Sequence, residues 1–148
     1  MRNEILLIAS LIVIYGMVLL WYCLFGKKGL YCWTVLATIA ANIEVMILIS
    51  AFGMEQTLGN ILFASTFLTT DILSEIEGKK SANTAVNVGI LTSLCFIAIS
   101  QSWLWYLPHA NDLVFNGIKT VFSNTPRIML AGLVVYAIVQ KFDVWMYH

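Results

Sequence analysis

Charge is scarce in this sequence. Asp, Glu, Lys and Arg together account for 11% of the 148 residues, whereas soluble domains carry about 25%. Apolar residues make up 60% of the chain, and the mean hydropathy is +0.86. A soluble globule of this length could not hide so much apolar surface from water, so the composition excludes that class and indicates a protein of the lipid bilayer. The formal net charge is zero, which argues against nucleic acid as a partner.

The motifs of metal sites and enzymes are also lacking. The three cysteines, Cys23, Cys32 and Cys95, form no CxxC pair and no cluster with histidine. We therefore expect no metal site and interpret them as small apolar residues. The sequence contains no HExxH motif, no His/Asp/Ser constellation and no phosphate-binding glycine loop. It predicts neither an enzyme nor a bound cofactor.

The sequence does contain long apolar segments. A membrane-spanning helix needs about 20 mostly apolar residues, and five segments qualify: 4–25, 30–53, 57–76, 84–107 and 125–147. Trp and Tyr residues flank several of them, as at membrane–water interfaces. The sequence therefore predicts an all-α polytopic membrane protein, with residues 1–148 forming a single integral membrane domain. The odd number of spans leads us to expect that the sequence is part of a bundle of six or more.

The connecting segments predict an orientation. Loops 26–29 and 77–83 each contain a pair of adjacent lysines. Because Lys and Arg favour the cytoplasmic side, we expect both loops there and the N-terminus outside. The run 111–122 would then lie on the outer face, as either a short interfacial helix or an ordered loop.

Carboxylates inside the predicted spans are candidates for function, because an ionisable group costs a few kcal/mol in the bilayer. In the third span Asp71 and Glu75 share a helix face with Phe67. In the fifth span the shared face is Tyr136, Gln140, Asp143 and Tyr147. If both spans descend from outside to inside, three carboxylates converge at the inner end of one cavity. The alternative is that they are interfacial, with Glu75 paired to Lys79 and Asp143 beside Lys141.

The second span contains the run ANIE, with Asn42 and Glu44 near the predicted bilayer midplane. Two positions on a helix are about 200° apart, so these side chains cannot both face one cavity. We expect Asn42 to share a face with Thr38. Glu44 would point to another helix, as a proton-coupling site or a structural pair, or to a second subunit, as a contact in a homodimer.

Two stretches carry a family resemblance. ANIEVMILISAFGMEQTLGNILFASTFLTTDILSEIEGKKSA (41–82) and TPRIMLAGLVVYAIVQKFDVWMYH (125–148) resemble the two signatures of the queuosine precursor transporter family, also called the vitamin uptake transporter family. The resemblance implies a multi-pass inner-membrane protein that imports queuine or its deazaguanine precursors for tRNA modification. The signature polar residues of the family fall on Asn42, Asp71, Glu75, Gln140 and Asp143. Ala64, Glu77 and Gly132 depart from the common pattern of the family, which bears on the substrate.

The implied ligand fits the chemistry of these residues. A guanine-like edge has two adjacent N–H donors that a carboxylate can accept together, and its carbonyl can accept from the amide of Asn42 or Gln140. Its flat face can stack on Phe67 or Tyr136, and a cationic aminomethyl substituent would favour a second carboxylate. Two other functions stay open. One is a vitamin-binding membrane subunit of an ATP-driven importer, and the other is a non-transporting membrane scaffold protein.

Overall fold

The computed structural model describes residues 2–123 and 125–147. Five helices and one β-hairpin follow one another along this part of the chain: α1 (Arg2–Glu44), β1 (Leu48–Ala51), β2 (Met54–Thr57), α2 (Asn60–Glu77), α3 (Lys79–Trp103), α4 (Phe115–Phe122) and α5 (Thr125–Tyr147). The predicted all-α class is confirmed, with the hairpin as a small departure.

Helix α1 is folded into two antiparallel arms, residues 2–25 and 27–44. The reversal lies at Gly26, whose φ of 59° and ψ of −145° fall in a region that residues with a side chain hardly adopt. The arms touch directly beyond the turn, because a Cβ on Gly29 would lie 2.3 Å from the backbone oxygen of Trp21. The rings of Trp21 and Trp33 meet across the arms with centroids 6.2 Å apart. The first two predicted spans are therefore these two arms.

The second predicted span (30–53) is longer than the observed helix, which ends at Glu44. The chain continues into the β-hairpin, where Ala51 pairs with Met54 and strand β1 runs antiparallel to β2. Phe52 and Gly53 form the turn with φ of 54° and 74°, as a two-residue type I′ turn requires. Asn3 donates to the Ser50 carbonyl at 2.9 Å. The hairpin therefore lies beside the start of α1.

Within residues 2–123 and 125–147, three helices are long and apolar enough to cross a membrane: α1, α3 and residues Pro126–Tyr147 of α5. The helix α2, of 18 residues, carries three carboxylates, Asp71, Glu75 and Glu77, and is not among them. The buried core packs the second arm of α1 against α2 and α3 through Leu30, Trp33, Ala37, Leu73 and Val86.

The run 111–122 contains helix α4, so of the two predicted alternatives the helix is observed. Phe122 is buried, and its ring packs edge-on against Trp103 at 5.6 Å and Phe96 at 6.2 Å. Asp112 accepts from the backbone N–H groups of Val114 and Phe115, each at 2.7 Å. These bonds to the charged form hold the pKa of Asp112 below its ordinary value.

Loops 26–29 and 77–83 lie at the same end of the molecule. Lys27 and Glu77 form an ion pair across them at 3.0 Å, and the Tyr31 hydroxyl donates to the Ser81 carbonyl at 3.4 Å. The hairpin and the N-terminal turn of α1 are at the opposite end, because Lys27 is at the tip of the two antiparallel arms. The two lysine pairs therefore share one end.

Candidate functional site

Helices α2 and α5 lie side by side and run parallel. Hydrogen bonds link Gln140 to Thr66 and Thr70 and link Tyr147 to Glu75, with sequence separations of 74, 70 and 72 residues. A nearly constant separation means that the helices advance together. We call this contact the α2–α5 seam. It brings together the two polar faces that the sequence predicts for the third and fifth spans.

The carboxylates gather toward the C-terminal end of the seam. Asp71 is exposed and Asp143 is half-buried. Both lie between the Thr70–Gln140 and Glu75–Tyr147 contacts, which places them at the same level of the two helices. Neither makes a hydrogen bond or ion pair with another residue in the described part of the chain. Glu75 accepts from the Tyr147 hydroxyl, rather than pairing with Lys79. Lys141 does not pair with Asp143, since it reaches Asn87 on α3 at 2.7 Å.

Gln140 is fully buried in the seam, about one helical turn after Tyr136 on α5. Its amide donates to the Thr66 hydroxyl at 2.9 Å and accepts from the Thr70 hydroxyl at 3.2 Å. Both ends of the amide are therefore engaged between helices, as expected for a buried polar side chain.

Asn42 lies away from the seam. It is 3% exposed, and its amide donates to the Thr38 carbonyl at 2.8 Å and to the Ser93 hydroxyl at 3.1 Å. It joins α1 to α3 in this conformation. Glu44, the last residue of α1, is half-buried and also lies outside the seam. Asn42 and Glu44 share no contact with the carboxylates of α2 and α5.

A cavity of about 480 Å³ opens between the N-terminal halves of α2 and α5. Small-molecule sites are typically of this size and mostly apolar. Three aromatic rings line it, from Phe63, Phe67 and Tyr136, and the Phe63 and Tyr136 rings are 5.8 Å apart. The other lining residues are Val45, Asn60, Ile128, Ala131, Gly132, Val135 and Val139.

Phe63 is the residue of this cavity that the sequence reasoning missed. The predicted face of the third span consists of Phe67, Asp71 and Glu75 and does not include position 63. The spacing of four residues between Phe63 and Phe67 was the available signal, because such residues lie on one side of a helix.

Tyr136 forms the boundary between the cavity and the helix core. Its side chain is 5% exposed, and its hydroxyl lies beside Thr38 and Thr66. That hydroxyl makes no hydrogen bond of normal geometry with a described residue. It also lies against Gly89 of α3, where an added Cβ would stand 2.4 Å from the hydroxyl oxygen.

In the described residues, no three His, Cys, Asp or Glu side chains are grouped so that they could hold a metal ion. What the seam does offer is a mostly apolar cavity with three aromatic rings, followed one helical turn later by a carboxylate on each helix. Such an arrangement suits a planar ligand that carries several N–H donors.

Comparison with known proteins bears on this site. Residues 57–148 match the family described as "Putative vitamin uptake transporter". The chain is also similar to a "Probable queuosine precursor transporter" of Bacillus subtilis (strain 168), with 35% identity over 147 residues. That alignment covers 99% of this chain and 64% of the relative, so the chain spans less than two thirds of the relative's length. No solved structure matches the chain.

Proposed function

The chain belongs to the vitamin uptake transporter family, and on that premise we propose that the whole protein imports queuine or another queuosine precursor for tRNA modification. The bilayer is its solvent and the deazaguanine base is its small-molecule partner. The matched relative is named for the same substrate class. The first family signature includes all of α2 and the second includes α5, the two helices that form the α2–α5 seam.

The observation that carries the proposal is the pair Asp71 and Asp143. Two carboxylates, which repel each other when both are charged, stand at the same level of neighbouring helices in a chain with 11% charged residues. A ligand that supplies N–H donors or a positive charge between them removes the repulsion and adds charge-assisted hydrogen bonds. An aminomethyl deazaguanine has both features, with its guanine edge for one carboxylate and its ammonium group for the other.

The remaining residues complete the proposed contacts. Phe67 and Tyr136 stack on the base, and Glu75 adds a third carboxylate when it is released from Tyr147. Asn42 and Gln140 bind the carbonyl of the base by exchanging their present helix partners for it. This exchange makes ligand binding part of helix rearrangement, as alternating access requires.

We propose further that the protein lies in the inner membrane with the N-terminus outside and loops 26–29 and 77–83 in the cytoplasm. The ion pair between Lys27 and Glu77 supports a common side for both lysine-rich loops. Glu44, off the seam and half-buried, is the residue that we assign to proton coupling or to a contact in a homodimer. An unchanged oligomer size in Glu44→Gln would argue against the dimer contact.

The first experiment measures ligand-dependent thermal stability of the whole purified protein. Queuine, an aminomethyl deazaguanine, guanine and riboflavin are each added to wild type, to Asp71→Asn and to the control Glu55→Gln. Glu55 is an exposed carboxylate of the hairpin, away from the seam. We expect a deazaguanine to raise Tm in wild type and in Glu55→Gln, by an amount that grows with its concentration over Kd. Asp71→Asn should lose that rise.

Two other outcomes would point elsewhere. A rise with riboflavin alone, together with co-purification of an ATPase, would favour the vitamin-binding subunit of an ATP-driven importer. No rise with any ligand, combined with lower stability of Asp71→Asn, would favour the scaffold protein.

A further inference from the structure

We propose that the cavity between α2 and α5 binds the flat face of the base, with Phe63 as a stacking ring, and that Gly89 sets the depth of this cavity by positioning Tyr136. The inference rests on the proposed function, because it names where in the seam the deazaguanine lies. It adds Phe63 and Gly89, which the family resemblance did not indicate, and it gives a place to Gly132, which departs from the family pattern.

The lining of the cavity favours a planar ligand. The Phe63 and Tyr136 rings meet at 43° with 5.8 Å between their centroids. Phe63 is the more exposed of the two, so its ring offers the face against which a flat ligand can lie. Aromatic stacking contributes about 1–3 kcal/mol per nucleic acid base. The volume of about 480 Å³ is within the usual range for small-molecule sites.

The position of the cavity connects it to the carboxylates. Phe67 lines the cavity and Asp71 follows four residues later, which is about 6 Å along the helix axis. Val139 and Asp143 repeat this spacing on α5. A base stacked on Phe67 therefore extends its polar edge toward both carboxylates. A lipid chain or another apolar helix in the same cavity would have no contact to make with these charges.

Small residues on α5 keep the cavity open. Ala131 and Gly132 are part of its lining, and a Cβ added to Gly132 would meet no atom within 4 Å. A larger side chain at position 132 would therefore enter the cavity without displacing its neighbours. This makes Gly132 suitable for a blocking substitution that leaves the fold intact.

Gly89 acts on the cavity from the opposite side of Tyr136. A Cβ at position 89 would lie 2.4 Å from the Tyr136 hydroxyl and 3.1 Å from the ring carbon that bears it. Since α3 backbone stands behind Gly89, the tyrosine ring is the part that moves, and it moves into the cavity. Gly89 is thus a positioning residue for Tyr136. Because glycine has no side chain, the Tyr136 ring stays out of the space that the base occupies.

The blocking experiment compares Gly132→Leu with Gly16→Leu in the whole purified protein. Gly16, on the first arm of α1, also has no atom within 4 Å of an added Cβ, so the two variants make the same chemical change. We measure Kd for a neutral deazaguanine and for an aminomethyl deazaguanine. Gly132→Leu should bind both about tenfold or more weakly, and Gly16→Leu should match wild type. Equal affinity in Gly132→Leu and wild type would overturn the cavity assignment. No binding by wild type would instead overturn the proposed function.

The positioning role is tested by a double-mutant cycle of Gly89→Ala and Tyr136→Phe. Gly89→Ala should weaken binding about tenfold in the wild-type background. Relative to Tyr136→Phe alone, the same substitution should have a much smaller effect, because the hydroxyl that it displaces is gone. A general packing defect at Gly89 would give equal losses in both backgrounds and would overturn the positioning role. If Gly89→Ala does not fold, recovery of a folded and binding double variant supports the role, and failure of the double variant overturns it.

Discussion

The two halves of the α2–α5 seam differ in what joins the helices. In the N-terminal half, Phe63 and Phe67 face the small residues Ala131 and Gly132 across a cavity. In the C-terminal half, polar contacts close the seam, through Gln140 at the boundary and through Glu75 and Tyr147 at the end. We call these the aromatic half and the carboxylate half. In the proposed function, shape selects the ligand in the aromatic half and charge selects it in the carboxylate half.

The largest expected effect is on affinity, and it should depend on ligand charge in the carboxylate half but not in the aromatic half. Asp143→Asn should weaken binding of an aminomethyl deazaguanine about ten- to a hundredfold, because a hydrogen bond to a charged group is worth about 1.5–3 kcal/mol. It should change binding of a neutral deazaguanine much less. Phe67→Leu should weaken both ligands by a similar factor. Isothermal titration of both ligands checks this, and equal selectivity in the two variants would remove the distinction between the halves.

An intermediate effect is expected at the boundary between the halves. Gln140→Leu removes two interhelical hydrogen bonds within the membrane, where each contributes about 0.6–1.7 kcal/mol. The Thr66 and Thr70 hydroxyls keep their bonds to backbone carbonyls, so no buried donor is left without a partner. A chain of this size should lose about 2–4 °C in Tm per kcal/mol.

The control for Gln140 uses its own partner. In a Thr66→Val background, Gln140→Leu should lower Tm by less than it does in wild type, because one of the two bonds is already absent. Identical losses of Tm in both backgrounds would mean that Gln140 stabilises the protein through packing alone. Its hydrogen bonds to α2 would then add no stability at the boundary between the halves.

The smallest effect is expected outside the seam, at the ion pair of Lys27 and Glu77. Both side chains are partly exposed, at 49% and 28%, and exposed pairs contribute little and are screened by salt. Lys27→Met should lower Tm slightly at low ionic strength and not at 1 M salt. Lys28→Met is the matched control, since Lys28 is the neighbouring exposed lysine. A larger fall in Tm for Lys28→Met than for Lys27→Met would contradict the assignment of the ion pair to Lys27 and Glu77.

The pH dependence of this pair has a definite sign. The hydrogen bond and charge of Glu77 raise the pKa of Lys27 in the folded protein. A group with a raised folded pKa contributes its stability in full below its unfolded pKa and loses it as the pH rises through the folded value. The difference between wild type and Lys27→Met should therefore hold at neutral pH. It should begin to fall above the pKa of an ordinary lysine, about 10.4, and it should disappear once the pH exceeds the raised pKa of Lys27 in the folded protein.

Periodicity in the sequence was enough to predict the helices and the two faces that meet. The spacing Tyr136, Gln140, Asp143 and Tyr147 places these residues along one side of α5, and the matching face of α2 carries Phe67, Asp71 and Glu75. Because the seam depends on which helix faces are polar, the helical period of 3.6 residues is enough to predict which residues lie on those faces. The assignment of these residues to ligand binding stays a prediction.

The hairpin was not predictable from the same pattern. Residues 45–53 are mostly apolar and continue the run of the second span without a proline or charge to end it. A type I′ turn needs two residues with positive φ, and Phe52 at 54° is unusual for a residue with a side chain. Gly53 alone was a weak signal. The hairpin depends on contacts with the start of α1, which local sequence does not encode.

Hydrogen-bond partners of buried amides were likewise beyond the sequence. The spacing predicts that Asn42 shares a face with Thr38, but it does not predict that the Asn42 amide donates to the Thr38 carbonyl and to Ser93 on α3. An amide offers two donors and an acceptor to whichever helix is nearest, and only the packing decides which one that is. The same holds for Gln140 with Thr66 and Thr70.

The one-residue reversal at Gly26 has a consequence for how the protein is built into the membrane. A tight turn lets two apolar arms enter the bilayer together as a helical hairpin, with their backbone hydrogen bonds already formed. In the proposed orientation, Lys27 and Lys28 at the tip never cross the hydrocarbon core, whereas the N-terminal end of the first arm and the β-hairpin after the second arm both reach the outer face. The two arms and the β-hairpin would thus insert as one unit.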